Sequence, residues 1–149
     1  MRLEDEIKQS SFRNEYHKLA VNLIFTHSWL MSKIYELLDE YDLTPQQFNL
    51  LRILRGQYPQ PASITILKER MLDKMSDASR LVERLVAKGL VERKICPEDR
   101  RKVDVVISKK GLRVLQKIDE KDEEMDNFLK HLSLKEAEQL NSLLDKLRG

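Results

Sequence analysis

The sequence predicts a mainly α-helical chain with one small β-hairpin, an α+β domain in the order α-α-α-α-β-β-α-α. Charged residues make up 35% of the 149 and aromatic residues 6%. That balance suits a helix-rich soluble protein better than a β-sandwich or a membrane protein. Apolar residues recur at threes and fours along most of the length, the period of amphipathic helices. Only around Val91–Ile95 and Val103–Ile107 do they alternate, the period of strands. A chain of this length holds one domain with a real core, and not two of ordinary size. No apolar run approaches the roughly 18–20 residues of a membrane-spanning helix. The opening M-R-L-E-D-E-I-K is more acidic and polar than a signal peptide, and one cysteine rules out an internal disulfide. The expected compartment is therefore the cytoplasm.

From Phe12 to Tyr41 there is neither Pro nor Gly, and Phe12, Tyr16, Leu19, Leu23, Leu30, Ile34, Leu37 and Tyr41 form one stripe. This predicts a helix of about seven or eight turns. Val21, Ile24, Phe25 and Trp29 lie off the stripe. A helix apolar on several sides needs cover, either from a partner subunit or from a central position within a monomer. Thr44-Pro45-Gln46-Gln47 opens the next helix with a cap, a proline at the first position and a capping-box partner. Phe48, Leu51 and Leu54 form its core side with Leu50 and Ile53 beside them, and Gly56 is the expected stop. Pro59 and Pro61 then force a loop.

Ser63 caps a short helix through Ile64, Leu67 and Met71, and Leu72–Met75 reads as a turn. Ser76 caps a further helix whose core stripe is Ala78, Leu81, Val82, Leu85 and Val86. Two short helices joined by a tight turn are the pattern of a helix-turn-helix. Gly89 ends the second of them, and the strands Val91–Ile95 and Val103–Ile107 enclose a loop from Cys96 to Lys102. Ser108 caps a helix through Leu112, Leu115, Ile118, Met125 and Leu129, with Gly111 a weak point in its first turn. Ser133-Leu134-Lys135-Glu136 is a capping box for a last helix with Leu134, Ala137, Leu140, Leu144 and Leu147 inward. The acidic cluster Asp119, Glu120, Asp122, Glu123, Glu124 and Asp126 reads as the solvated face of a helix.

Between Ser63 and Lys102, eleven Lys and Arg stand against seven Asp and Glu, a local net of +4 that leaves −2 elsewhere. A basic middle between neutral or acidic ends is compatible with a module facing nucleic acid, and also with an ordinary charged surface. On the helix from Ser76 to Lys88, the residues Ser76, Asp77, Ser79, Arg80 and Arg84 point away from the core stripe. Small hydroxyls, a carboxylate and arginines near a helix start can read base edges and grip phosphates in a groove about 12 Å wide. A plain solvated helix face has the same composition. The loop that follows, Pro97-Glu98-Asp99-Arg100-Arg101-Lys102, sets three basic residues at the tip of a two-stranded ribbon. Asn-Gly or Asp-Gly turns are commoner there, whereas an arginine at such a tip can enter a narrow minor groove. Asp99, two residues before Arg101, is placed to hold that guanidinium in a bidentate pair. Ser63 and Thr65, at the start of the bracing helix, are placed to meet a DNA backbone.

The run S-D-A-S-R-L-V-E-R-L-V-A-K-G-L-V-E-R-K-I-C-P-E-D-R-R-K-V-D-V-V-I-S-K-K-G, from Ser76 to Gly111, resembles the winged-helix core of the MarR family of bacterial transcription regulators. The shared features are a recognition helix ending in a K-G-L-V-like stop, a wing marked D-R-R, and a strand leading into a T/S-x-x-G helix start. L-T-P-Q-Q-F-N-L-L-R-I-L resembles the family's second helix. The resemblance covers essentially the whole chain and is most specific from Arg80 to Gly111. It implies a single domain over 1–149, with a winged helix-turn-helix lobe at 44–108 and a helical dimerisation lobe formed by 1–43 and 109–149. It implies an obligate homodimer with two DNA-binding heads. Ser76 to Arg80 would enter the major groove, Arg101 the minor groove beside Arg100 and Lys102, and Arg84 would lie near Asp99 or a phosphate.

Many members of that family bind aromatic acids between the dimer helices and the heads. Tyr16, Trp29 and Tyr35 would line such a pocket for a small aromatic or anionic effector, although aromatics at helical spacing also serve as core packing. Peroxide-sensing members use a cysteine near the N-terminus, which this sequence lacks. Cys96, at the wing base, reads as a small semi-buried hydrophobe, or as a thiol that loosens the wing when oxidised. His17 and His27 are ten residues apart and His131 is remote, so neither a metal nor a cofactor is expected. No phosphate-cradling glycine loop, nucleophile motif or recognisable carboxylate pair points to an enzyme. The expected function is binding of a homodimer to a short pseudo-palindromic DNA duplex, chiefly to repress transcription. A winged-helix module for protein contacts, or for non-specific architectural DNA binding, is the alternative.

Overall fold

The computed structural model of the chain describes residues 1–95, 97–99 and 101–149. Its elements are α1 (Leu3–Glu6), α2 (Glu15–Leu38), a 3-10 turn (Asp39–Tyr41), α3 (Pro45–Gln57), β1 (Ala62–Ser63) and α4 (Ile64–Arg70). They continue with α5 (Ala78–Ala87), β2 (Val91–Ile95), β3 (Val103–Ile107), α6 (Lys109–Asp119), α7 (Asp122–Asn127) and α8 (Leu134–Arg148). A mainly helical chain with a small antiparallel sheet is what the sequence predicts. Three elements differ from the expected order.

The first difference is α1, four residues with Leu3 buried, too short to carry a period. The second is β1, which pairs with β3 through Ala62 opposite Val105 and makes a three-stranded sheet in the order β1-β3-β2. Two residues cannot display alternation, and their partner lies far along the sequence. The third is a break between α6 and α7 where one helix was expected. A continuous helix would stack Asp119 on Glu123 and Glu120 on Glu124, like charges at i,i+4 that repel. The break instead puts Asp122, Glu123 and Glu124 in the first turn of α7, where the helix dipole favours negative charge.

Local signals set most other boundaries. Asn14 caps α2, its side chain accepting from the His17 amide at 2.9 Å, so Phe12 lies outside the helix and Tyr41 falls in the 3-10 turn. The capping box of α3 closes both ways, with Gln47 N to Thr44 Oγ1 at 3.1 Å and Thr44 N to Gln47 Oε1 at 3.3 Å. The expected stop at Gly56 is incorrect, because α3 runs through it to Gln57 and the prolines beyond end it. Ser63 caps α4 through the Ile66 amide at 3.2 Å. The cap of α5 is Asp77 rather than Ser76, with Asp77 Oδ1 accepting from the Arg80 amide at 3.1 Å. Either side chain can cap, and the carboxylate adds a favourable charge at the helix start.

The core sits between α3 and α6. Leu50, Leu51, Leu54, Leu67, Met71, Val82, Leu85, Val105, Leu115 and Ile118 are fully buried there, with Leu38 from the end of α2. Gly89 ends α5 in the left-handed region at φ 71°, which favours glycine. Gly111 is required for a different reason. A Cβ there would lie 2.4 Å from the Leu90 carbonyl and 2.7 Å from Ile107 Cγ1, so the expected weak point is a close approach of α6 to the sheet. Ser108 locks the same corner, accepting from the Gly111 amide at 3.0 Å and donating to the Gly89 carbonyl at 2.7 Å.

The terminal helices are packed otherwise. The expected inward positions Leu134, Ala137, Leu140, Leu144 and Leu147 are not buried, and Leu134 is 79% exposed. Along α2, Tyr16, Leu19, Leu23 and Ile24 are also exposed. The period correctly marked an apolar face; nothing among the described residues covers it. Among the described residues, no helix is long and apolar enough to cross a membrane.

Candidate nucleic-acid interface

Helix α5 stands on its apolar side and offers its polar side outward. Ala78, Val82 and Leu85 are buried, while Asp77, Ser79, Arg80, Glu83 and Arg84 are exposed. Arg80 and Arg84 are four residues apart, so their side chains leave the same face one turn from each other. Ser76 lies just before the cap, half-buried, and its hydroxyl has no hydrogen-bond partner among the described residues. Asp77 is committed to the helix start, since its Oδ1 already accepts the Arg80 amide. Five residues expected to act together thus divide, with Ser79, Arg80 and Arg84 presented outward, Asp77 as a cap and Ser76 behind it.

The turn from α4 into α5 is fixed by polar contacts. The Leu72 amide donates to Asn49 Oδ1 on α3 at 2.9 Å, and the Met75 amide to Asp73 Oδ1 at 2.9 Å. At the other end of α5, Lys88 Nζ donates to Gln47 Oε1 at 3.1 Å and to the Asp42 carbonyl, and lies 3.5 Å from Asp42 Oδ2. Gln47 is only 3% exposed, so one buried amide closes its own capping box and anchors the end of α5. Sequence reading missed Lys88 and Asn49. Their partners are 41 and 23 residues away, and no spacing rule reports a contact of that range. Ser63 spends its hydroxyl on the α4 cap, while Thr65 is exposed in the first turn of that helix.

The wing is the ribbon of β2 and β3, in register from Val91 opposite Ile107 to Ile95 opposite Val103. Val91 is buried, but Ile95 is exposed although it shares the same strand face, because the ribbon runs out beyond the core. At the tip, Asp99 Oδ1 accepts the Arg101 backbone amide at 3.0 Å and the Asp99 carbonyl accepts the Lys102 amide at 3.0 Å. Among the described residues, no ion pair joins Asp99 to the Arg101 guanidinium, where a bidentate pair was expected. An Asx-type turn satisfies the carboxylate first, and the Arg101 and Lys102 side chains are exposed. Among the described residues, Arg84 makes no ion pair with Asp99. Cys96 and Arg100 lie outside the described residues.

A cleft of about 620 Å³ lies between α2, α3 and the turn before α5. Leu30, Ile34, Phe48 and Met71 give it apolar walls, and Arg52 and Lys74 bring positive charge against the single carboxylate of Asp73. Tyr16, Trp29 and Tyr35, the residues expected to line a pocket, do not line this one. The face of α2 that meets the cleft carries His27, Leu30, Met31 and Ile34, which recur at helical spacing. Tyr16 and Tyr35 leave the helix elsewhere and are exposed. Among the described residues, no group of three or more His, Cys, Asp or Glu could hold a metal.

Residues 43–103, from just after the 3-10 turn to the start of β3, match the model of the MarR family. The fold as a whole is similar to a MarR-like transcription regulator from Bacillus cereus, with TM-score 0.81 and 21% identity over 90% of this chain and 96% of that one. It is also similar to a variant of MarR from E. coli complexed with operator DNA, with TM-score 0.80 and 26% identity over 93% and 99% of the two chains. BpsR from Bordetella bronchiseptica, whose DNA binding is regulated by 6-hydroxynicotinic acid, matches with TM-score 0.76 and 22% identity over 89% and 99%. No curated protein matches by sequence.

Proposed function

We propose that the chain is a winged-helix transcription regulator of the MarR family, whose model residues 43–103 match, and that it binds double-stranded DNA sequence-specifically as a homodimer, chiefly as a repressor. One observation carries the reading: Ser79, Arg80 and Arg84 are exposed above the buried stripe of α5, beside a ribbon whose tip exposes Arg101 and Lys102. A helix so mounted enters a major groove with its first turns, where arginine reads guanine and serine reads either base. The ribbon tip then reaches the neighbouring minor groove, whose negative potential favours arginine. Ser63 and Thr65 lie at the start of α4, where backbone amides meet phosphates.

Dimerisation is supported by the apolar faces that α2 and α8 leave open in the single chain. Two heads related by a two-fold axis would meet half-sites about one helical turn apart, on a pseudo-palindromic operator. The cleft against Phe48 and Arg52 supports a small anionic aromatic effector, since it combines apolar walls with positive charge next to the turn that leads into α5.

Duplexes selected from a random pool provide the test. At matched salt the parent should prefer the selected duplex to random DNA by roughly 10³ or more. Arg80→Ala should relax base preference in the half-site, and Arg101→Ala should weaken binding most at A·T-rich flanks. If both variants bind the selected duplex as tightly as the parent, the groove assignment is wrong.

A further inference from the structure

The chain leaves the winged-helix lobe for its last helices at a single place, the break between α6 and α7, and ion pairs hold both sides of that break. On the α6 side, Arg55 from the last turn of α3 grips Asp119 twice, Nη1 to Oδ2 at 2.7 Å and Nη2 to Oδ1 at 3.1 Å. On the α7 side, Lys121 pairs with Glu40 in the turn after α2 and stands 5.7 Å above the Tyr41 ring. The two pairs tie the break to α3 and to the end of α2. A guanidinium and a carboxylate joined by two parallel bonds fix direction as well as distance.

Beyond the break apolar packing is only partial, with α7 lying against α2 and Met125 and Phe128 half-buried. Neither α7 nor α8 has a buried residue, whereas Leu115 and Ile118, just before it, are fully buried. The chain is packed into the core up to Ile118, and the direction taken afterwards depends on fewer buried contacts. Exposed ion pairs add little to overall stability, but they can select one orientation where packing selects none.

We propose that Arg55–Asp119 and Lys121–Glu40 are positioning residues that set the direction in which α7 and α8 leave α6, relative to α3 and the end of α2, and so the half-site spacing a dimer accepts. The second part rests on the dimeric DNA-binding reading above. In a dimer joined through the terminal helices, a small change of angle at this break moves the two recognition helices apart or together. One base pair of spacing is about 3.4 Å and a tenth of a turn, so a discriminating regulator needs that angle held.

Spin labels carried by noncanonical residues at Ser79 and Ser142, diluted into unlabelled chain, read the angle within one chain and without DNA. The parent should give one narrow distance distribution. Arg55→Asp with Lys121→Glu should shift or broaden it by several ångström, and Arg55→Asp with Asp119→Arg, which restores the pair with its charges exchanged, should return the parent distribution. An unchanged distribution in the first variant, or no recovery in the exchanged one, overturns the proposal. On selected duplexes with one base pair inserted or removed between half-sites, the parent should discriminate about tenfold and Arg55→Asp with Lys121→Glu about threefold or less. A parent that prefers no duplex defeats the DNA-binding reading, while the label distances still decide the role of the pairs.

Discussion

Helices α5 and α8 are both amphipathic and both begin at a well-formed cap, yet α5 buries Ala78, Val82 and Leu85 while α8 buries no residue at all. In α8, Leu134 and Leu143 are 79% and 62% exposed. The contrast extends to their surroundings. Helix α5 rests against α3, α4 and the sheet, and polar anchors at Asn49 and Gln47 hold the turn that leads into it and its C-terminal end. Helix α8 has a capping box at Ser133 and Glu136 and little else. A helix of that length is marginal alone in water, so its apolar face belongs against another surface. One region is covered by its own chain; on the dimeric reading proposed above, the other is covered by assembly.

The largest effect that would break this comparison is in the core of the self-sufficient half. Leu85→Ala removes a fully buried side chain and should cost about 2–5 kcal/mol, read as a loss of denaturant midpoint at unchanged slope. If the loss were under about 0.5 kcal/mol, the lobe would not be packed as described. Gly111→Ala follows, since its Cβ would meet the Leu90 carbonyl at 2.4 Å; a loss of about 1–3 kcal/mol is expected, measured in the same way. Leu143→Glu with Leu147→Glu tests the other half. On α8 these changes should leave the melting of dilute protein nearly untouched, yet shift sedimentation at micromolar concentration from dimer to monomer. Unchanged sedimentation would mean that α8 is not what assembly covers.

Smaller effects sharpen the picture. Asp77→Ala should cost about 1 kcal/mol, and Ser76→Ala much less, because Asp77 accepts the Arg80 amide and Ser76 does not. The smallest concerns acid. The Lys121 ammonium holds the Glu40 carboxyl below its usual 4.5, so its contribution is present above that value and fades as pH falls through the lowered one. The difference in spin-label distances between parent and Glu40→Gln should therefore be visible near pH 7 and shrink as pH falls below the usual carboxylate range. A gap that persists in acid would assign the effect to something other than the carboxylate charge.

How much of this could be read from the residues alone depended on range. Thr44, Ser63, Ser108 and Ser133 were all recognisable as caps because each accepts an amide three residues ahead. The polar face of α5 was readable for a similar reason, being the complement of its core stripe. Contacts between distant residues left no such trace. Ala62 pairs with Val105, Arg55 with Asp119 and Lys88 with Gln47, and no period connects them. The wing tip failed differently. Asp99 has two uses for its carboxylate, and the turn geometry, absent from the residue types, decides for the backbone amide of Arg101. For α8, periodicity identified which face is apolar but not that its cover is missing from the single chain.

The central claim, a dimer that reads DNA through α5 and the wing, is tested most directly by sedimentation of a fluorescent selected duplex with the protein at fixed salt. The account predicts two chains per duplex, and competition by random DNA only at an excess of roughly 10³ or more. One chain per duplex, or competition by random DNA at near-equal concentration, would contradict it.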